Sequence, residues 1–419
     1  MRKKIKLKLN NKELKILLKK FGVKTLEDVK TTMLKELKES LKDKINDKRQ
    51  QSKITYKIWD IIICVIVADF ASVYDWEDIE DFINIHYKWF KSFLQMTGGI
   101  PSSQTIERVF SIIDHKELED ILVGFYNKVI LNLIMGNDLL NVDGRVSCGS
   151  SRGKTNFHEK ERPLNVLNVY SNKYGICLAS EQIDEKTNEI PTIPIILKRL
   201  NLKGNIVTWD ALNTQTINVK AVIDGGGDYV VPIKGNQGNF YNDLVKYFDE
   251  KTIEQIIAGQ SKSSYLKQVE KSHSSVITYE YFQTEDVDWY FDKRSWEKLR
   301  SIGLVRKTIE KNGDKVIELR YYISSLFIDI YDFSKAIRMH WSVENKLHWH
   351  LDFTFRQDNN TTKNKSALMN LEIINKFVLA ILNKVKYRYS DISLKRIRSY
   401  LTSDFENEFM DLLCFLAIS

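Results

Sequence analysis

Between residues 139 and 237 the chain alternates short apolar runs with amphipathic ones, in an order that few folds accommodate. Leu139 to Asp143, Leu164 to Tyr170 and Gly175 to Ser180 read as three successive strands, the last two joined by the turn Ser171-Asn-Lys-Tyr. Asn188 to Leu200 then reads as a helix with proline in its first turn. Gly204 to Asp210 is a strand, Gln215 to Ile223 a helix and Asp228 to Lys234 a strand. Gly235-Asn-Gln leads into a further helix. The order β-β-β-α-β-α-β-α predicts a mixed sheet with helices packed on it.

What flanks this segment differs in kind. Residues 1 to 50 read as helical, with Leu14, Leu17, Leu18 and Phe21 at helical spacing and a helix start at Thr25-Leu-Glu-Asp. Residues 54 to 135 form a second helical block. Its run from Ile58 to Phe70 reads as a buried helix, followed by a turn near Ser72. Pro101-Ser-Ser-Gln-Thr caps another helix. From about residue 265 to 328 the chain returns to strands, with Asn312-Gly as a hairpin turn. Residues 366 to 386 form an amphipathic helix, and the end is helical.

Charge is distributed unevenly. The formal net charge is +8, yet the first 50 residues alone hold 17 Lys and Arg against 7 Asp and Glu. The body is therefore near neutral and the basic excess sits at the N-terminus. That suits a polyanion such as nucleic acid, although a solvated helix reads the same way. The start MRKKIKLKLNNKELK lacks the apolar core of a signal peptide, and Ile58 to Phe70 carries Asp60 and Asp69 and is too short to span a bilayer. No membrane partner is expected. Four scattered cysteines, Cys64, Cys148, Cys177 and Cys414, form no close pair of the kind a zinc or redox motif uses, and fit a reducing cytoplasm.

Three carboxylates stand out. Asp143 and Asp210 each finish a strand. Glu344 lies in RMHWSVENKLHWHLDFTFRQD, residues 338 to 358, where His340, Glu344 and His348 share one helix face at i, i+4, i+8. Singly, each has an ordinary explanation. Asp143 before glycine makes a turn, Asp210 caps a helix, and Glu344 pairs with Lys346 or Arg338. Converging, they suit hard divalent cations such as Mg²⁺ or Mn²⁺. Two such ions about 3.5–4 Å apart serve in-line phosphoryl displacement. A zinc site from His340, His348 and His350 lacks a fourth ligand.

Several motifs then occur together in one order. They are Tyr74-Asp-Trp-Glu-Asp-Ile-Glu-Asp-Phe, Gly99-Ile-Pro-Ser-Ser-Gln-Thr-Ile-Glu-Arg-Val-Phe, Val142-Asp-Gly-Arg, Lys186-Thr-Asn-Glu-Ile-Pro and Val207-Thr-Trp-Asp-Ala-Leu-Asn-Thr-Gln. Asp228-Tyr-Val-Val-Pro-Ile-Lys-Gly-Asn-Gln, Tyr321-Tyr-Ile-Ser-Ser-Leu and His340-Trp-Ser-Val-Glu-Asn-Lys-Leu-His-Trp-His-Leu-Asp follow. With these the chain resembles the DDE transposases of the H-repeat-associated insertion-sequence group, over about residues 50 to 400.

The resemblance implies an α/β fold, an RNase H-like mixed-sheet catalytic core with a β-rich insertion, preceded by an all-α N-terminal region. The expected divisions are a basic helical arm at 1–50, a helical DNA-binding domain at 51–135, the catalytic domain at 136–390 with its insertion at about 265–328, and a helical tail at 391–419. Asp143, Asp210 and Glu344 would be the catalytic triad, holding two Mg²⁺ or Mn²⁺ ions. The implied chemistry is cleavage at transposon ends and joining of the freed 3′-hydroxyl to target DNA.

Double-stranded DNA is thus the expected partner, a homodimer the expected synaptic unit, and the bacterial cytoplasm, on the nucleoid, the expected location. Arg145, Arg152, Lys234, Asn236, Gln237, His340, Asn345 and His348 are the candidate DNA contacts; for the two histidines packing is an equal alternative. Trp341 and Trp349 are expected in the core. A DNA-binding protein that no longer transposes, and an RNase H-like nuclease, stay open as alternatives.

Two departures from the family pattern bear on phosphate positioning. Relatives usually carry Asp-Gly-Lys and then Arg-Gly-Ser, where this chain has Asp143-Gly-Arg145 and Cys148-Gly-Ser. A guanidinium fork does not replace an ammonium neutrally. The arginine often found one helical turn before the last acid is here His340.

Overall fold

The computed structural model describes residues 7, 9–131, 137–151, 163–184, 187–272 and 275–416. Nine strands form one sheet: β1 (Leu139–Ser147), β2 (Leu164–Ser171), β3 (Ile176–Gln182), β4 (Ile206–Thr208), β5 (Asp228–Ile233), β6 (Ser263–Ser272), β7 (Ser275–Thr284), β8 (Ser301–Lys311) and β9 (Asp314–Ser324). Their order is β3-β2-β1-β4-β5-β9-β8-β7-β6. β1, β2 and β3 are an antiparallel meander, and β4 and β5 run parallel to β1. Parallel neighbours need crossovers, supplied by the helices Glu189–Leu197 and Thr216–Asp224. Ile193, Ile196, Val219 and Val222 from those helices bury against Val142, Val169, Val207 and Tyr229. This is the mixed sheet that the strand order predicts, and the RNase H-like core that the resemblance implies.

The β-rich insertion does not form a separate layer. Its last strand, β9, pairs antiparallel with β5, Ile233 opposite Tyr321, so the insertion widens the core sheet. The hairpin at Asn312-Gly313 has φ of 53° and 91°, the pair of positive values a tight hairpin turn demands. β6 was not among the expected strands, because SSYLKQVEKS has only three apolar side chains to signal it. The helix Ile330–His340 crosses the face opposite the crossover helices and covers Leu139, Val230, Val305 and Tyr322.

A second, all-helical body is built around Lys365–Arg388. Phe110, Leu122, Ile62 and Val65 from the helical block pack into one core with Leu371, Ile374 and Val378 of that helix. Residues 11–44 do not project as an arm. Leu17, Val29, Met33, Leu37 and Leu41 lie in the same core, as do Leu394, Ile397, Phe405 and Phe409 from the end of the chain. The Thr25 start is realised as a reciprocal cap, in which Asp28 N donates to Thr25 Oγ1 at 3.2 Å and Thr25 N to Asp28 Oδ2 at 2.9 Å. Lys365–Arg388 is the one described helix long and apolar enough to cross a membrane, and 89% of its apolar window is buried inside the protein.

Candidate active site

The two aspartates are placed together by strand register. Asn141 of β1 pairs with Thr208 of β4, and Asp143 and Asp210 each lie two residues further along. Side chains two apart share a face, and neighbouring strands lie about 4.8 Å apart. Both acids therefore emerge side by side on the face that the helix Ile330–His340 crosses. Asp143 is not at a turn, since β1 continues to Ser147. Asp210 takes the cap position before the turn Ala211–Asn213, but its carboxylate caps nothing there.

Their proximity shows in their acidity. Burial and the neighbouring Asp210 charge push the Asp143 carboxyl up to about 7. Asp210 is held below its ordinary value, first by its hydrogen bond to His340, with Lys234 and Arg320 adding positive charge. The two shifts run in opposite directions because burial dominates at Asp143 and the His340 hydrogen bond at Asp210.

The following helical stretch is locked over this pair by an amide. Asn141, two residues before Asp143 on the same face, donates from Nδ2 to the carbonyls of Met339 at 2.6 Å and His340 at 2.8 Å. Its Oδ1 accepts from Asn172 Nδ2 at 2.8 Å, and Asn172 in turn accepts from Ser342 Oγ. The α-helix ends there, at His340, and a wider π-turn runs from Glu344 to His348. His340 Nε2 lies 3.2 Å from Asp210 Oδ1, and His348 Nδ1 lies 3.5 Å from Asp143 Oδ2. Burial, with Arg145 and Lys376 nearby, brings His348 down to about 3, so it is neutral at ordinary pH. Each histidine thus faces one aspartate, with Glu344 between them in sequence.

Glu344 itself is exposed. Its suggested partner Arg338 is paired with Glu270 instead. Trp341 and Trp349, expected in the core, are 48% and 50% exposed, and Trp349 stacks on the still more exposed Phe353 at 4.8 Å. The α-helix breaks at Trp341, and Trp349 directly follows the π-turn.

The other candidates divide. Arg145 turns inward and is 6% exposed. Its guanidinium pairs with Asp352 and with Glu372 at 3.4 Å, and donates to Gln357 Oε1 at 2.7 Å. Here it serves as an interior tie, between buried Glu372 and the partly exposed Asp352. Asn236 Nδ2 donates to the Ala211 carbonyl at 3.1 Å, and Gln237 Nε2 to that of Thr214. These amides hold the loop after Asp210, and in that arrangement are not offered outward. Asn345 donates to the Trp341 carbonyl at 3.2 Å. Lys234 is exposed, at the end of β5. Arg152 lies outside the described residues.

Three residues of this site escape a sequence reading. Asn141 and Arg320 are ordinary strand residues until the register is known. Glu189 approaches from the other face of β1. A Cβ at Gly144 would stand 2.1 Å from Glu189 Oε1, and Glu189 Oε2 accepts from Asn213 Nδ2 at 2.6 Å. The Glu-Ile-Pro motif and the glycine after Asp143 were the available signals.

Among the described residues, no three His, Cys, Asp or Glu side chains stand ready as a metal cage. The Asp143–Asp210 pair nevertheless fits a hard divalent cation. It offers oxygen donors alone, and a cation between the two carboxylates would offset both the burial and the Asp210 charge that raise Asp143.

Comparison with known proteins bears on the same residues. A family model described as the transposase DDE domain matches residues 142–380, and one described as DDE_Tnp_1-associated matches residues 40–126. The Escherichia coli O157:H7 protein named "Putative transposase YncI" is 30% identical over 369 residues, 87% of this chain and 92% of that one. The Escherichia coli K12 protein named "H repeat-associated putative transposase YhhI" is 31% identical over 319 residues, 75% of this chain and 82% of that one.

Proposed function

The chain belongs to the DDE transposase family, and from that premise we propose that it cuts DNA at the ends of its insertion sequence and joins the freed 3′-hydroxyl to target DNA. The observation that carries this reading is the paired emergence of Asp143 and Asp210 on one sheet face, under a helical stretch bearing Glu344. Asp143, Asp210 and Glu344 would hold Mg²⁺ or Mn²⁺. When bound, the ions activate the attacking oxygen and stabilise the leaving one. Glu344 would complete the set when the exposed π-turn settles on DNA.

The chain's own side chains do the rest. His340 fixes the orientation of the Asp210 carboxylate, as outer partners of metal ligands commonly do. Neutral His348 packs beside Asp143 without competing as a cation. Asn141 sets the height of the whole helical stretch above the acids. Lys234, exposed at the end of β5, takes a backbone phosphate. The protein acts in the bacterial cytoplasm on double-stranded DNA, as a homodimer when two ends are brought together. Three buried thiols, with none of the four cysteines in a disulfide, suit that compartment.

The test is cleavage and joining on duplexes carrying the element's own ends, with Mg²⁺ or Mn²⁺, for wild type beside Asp210→Asn. Cut and joined products from wild type alone support the proposal. Cutting without joining would instead indicate a nuclease. Tight binding without either would indicate a DNA-binding protein.

A further inference from the structure

The insertion strand β9 brings a guanidinium to the edge of this site. Ile233 and Tyr321 are the last pair in the β5–β9 ladder, so Lys234 and Arg320 face each other one step beyond it. Arg320 shares a strand face with Tyr322, which is buried under the helix Ile330–His340. Across the adjacent strands β1, β4, β5 and β9, the same sheet face therefore presents Asp143, Asp210, Lys234 and Arg320 in that order. Two acids stand level on β1 and β4, and two cations follow on β5 and β9, two residues further along the parallel strands.

Arg320 is held for use. Its guanidinium lies over the Trp341 ring, 5.3 Å from the centroid, and NH2 donates to Glu318 at 3.1 Å. That exposed pair engages part of a group with five N–H donors. Trp341 is half exposed beside it, on the turn that follows His340. A planar fork, cradled by an indole and flanked by Lys234, matches a phosphodiester better than it matches a carboxylate already paired at the surface.

We propose that Arg320, delivered by the β-rich insertion and backed by Trp341, binds the phosphodiester next to the one being cut, so that the insertion completes the active site. This rests on the transposase reading. The acids mark where the strand is cut, and the cation pair marks the direction in which its backbone continues.

The experiment uses the full chain and an end duplex under single-turnover conditions, with salt titrations of binding to the same duplex. Arg320→Ala is expected to slow cleavage about 100-fold at saturating protein, and to lower the salt slope of binding by about 1. Its melting temperature should stay that of wild type. Arg320→Lys, which keeps a stem over Trp341, should restore the salt slope but not the rate, because an ammonium lacks the fork. A variant with unchanged rate and slope, beside a wild type that Asp210→Asn silences, overturns this inference alone. Equal rescue of rate and slope by Arg320→Lys overturns the role of the fork. A wild type that neither cuts nor joins overturns both this inference and the reading beneath it.

Discussion

His340 Nε2 stands 3.2 Å from Asp210 Oδ1, so the helix that leads to Glu344 is tied to the second acid before it reaches the third. The ring's other nitrogen, Nδ1, is buried with no hydrogen-bond partner. Its hydrogen bonding is thus directed at Asp210. Removing it with His340→Ala should raise the Mg²⁺ concentration for half-maximal cleavage about 10- to 100-fold, the usual cost of losing such a support. Unchanged metal dependence would show that the imidazole only packs.

Asn141 carries the docking of that helix. Its Nδ2 serves two carbonyls at a helix end, where free acceptors otherwise go unpaired. Asn141→Leu keeps the volume and takes the amide donor from both part-buried carbonyls, of which that of Met339 keeps the Trp341 N–H. A loss of about 1–3 kcal/mol in unfolding free energy is expected. Cleavage should fall further than stability alone explains, because His340 and Glu344 lose their height above the sheet. Denaturant unfolding and single-turnover cleavage on the same preparation check both parts.

Arg145 and Lys234 separate an interior cation from an outward one. Arg145→Met removes one of the two cations that face buried Glu372, which keeps Lys376 at 2.8 Å, and should cost about 1–3 kcal/mol of stability. Where it remains folded, its salt slope of DNA binding should match wild type. Lys234→Ala should leave stability unchanged and lower that slope by about 1. Exchanged outcomes would return Arg145 to the DNA.

How far this was legible follows from what sequence can encode. The strand order and the two strand-end acids were readable, because period-two burial and β-α alternation leave a pattern in the residues themselves. That β1 runs on through Asp143 to Ser147 was not, since Gly144 and Arg145 look like a turn until Glu189 and the buried acids claim them. Trp341 and Trp349 were assigned to the core on apolarity alone, and no residue announces the helix break and the π-turn beside them. Residues 11–44 look like a basic arm because their lysines dominate the count, while five well-spaced apolar side chains decide the packing. Arg320 became visible only when β9 was seen to pair with β5, a contact that local sequence does not specify.

Gly144→Ala tests the approach of Glu189. The added methyl would meet Oε1 at 2.1 Å, and the carboxylate can yield only by leaving Asn213 Nδ2. Asn213 is buried and sits in the loop right after Asp210. The expected result is a modest loss of stability, about 1 kcal/mol, with a much larger loss of cleavage. Gly144→Ala combined with Glu189→Ala should recover part of that loss, since the clash is gone. No recovery would mean that the glycine serves the backbone rather than Glu189.

The helical body has its own charge test, at Asp69. Its carboxyl is buried and accepts from Arg398 at 3.2 Å, while the guanidinium also lies 4.5 Å from the Phe355 ring centroid. Burial outweighs the arginine and pushes Asp69 up to about 7. An acid whose proton is held more tightly in the folded state loses stability as pH rises from its unfolded value, about 4, through that folded value. Asp69→Asn stays neutral at every pH and keeps an acceptor for Arg398. The variant should therefore gain on wild type as pH climbs from about 4 to 7, and level off above. Urea unfolding of both proteins across that range decides it. A gain in the opposite direction would mean that Arg398 holds the carboxylate charged, and that the pair is an ion pair at every working pH.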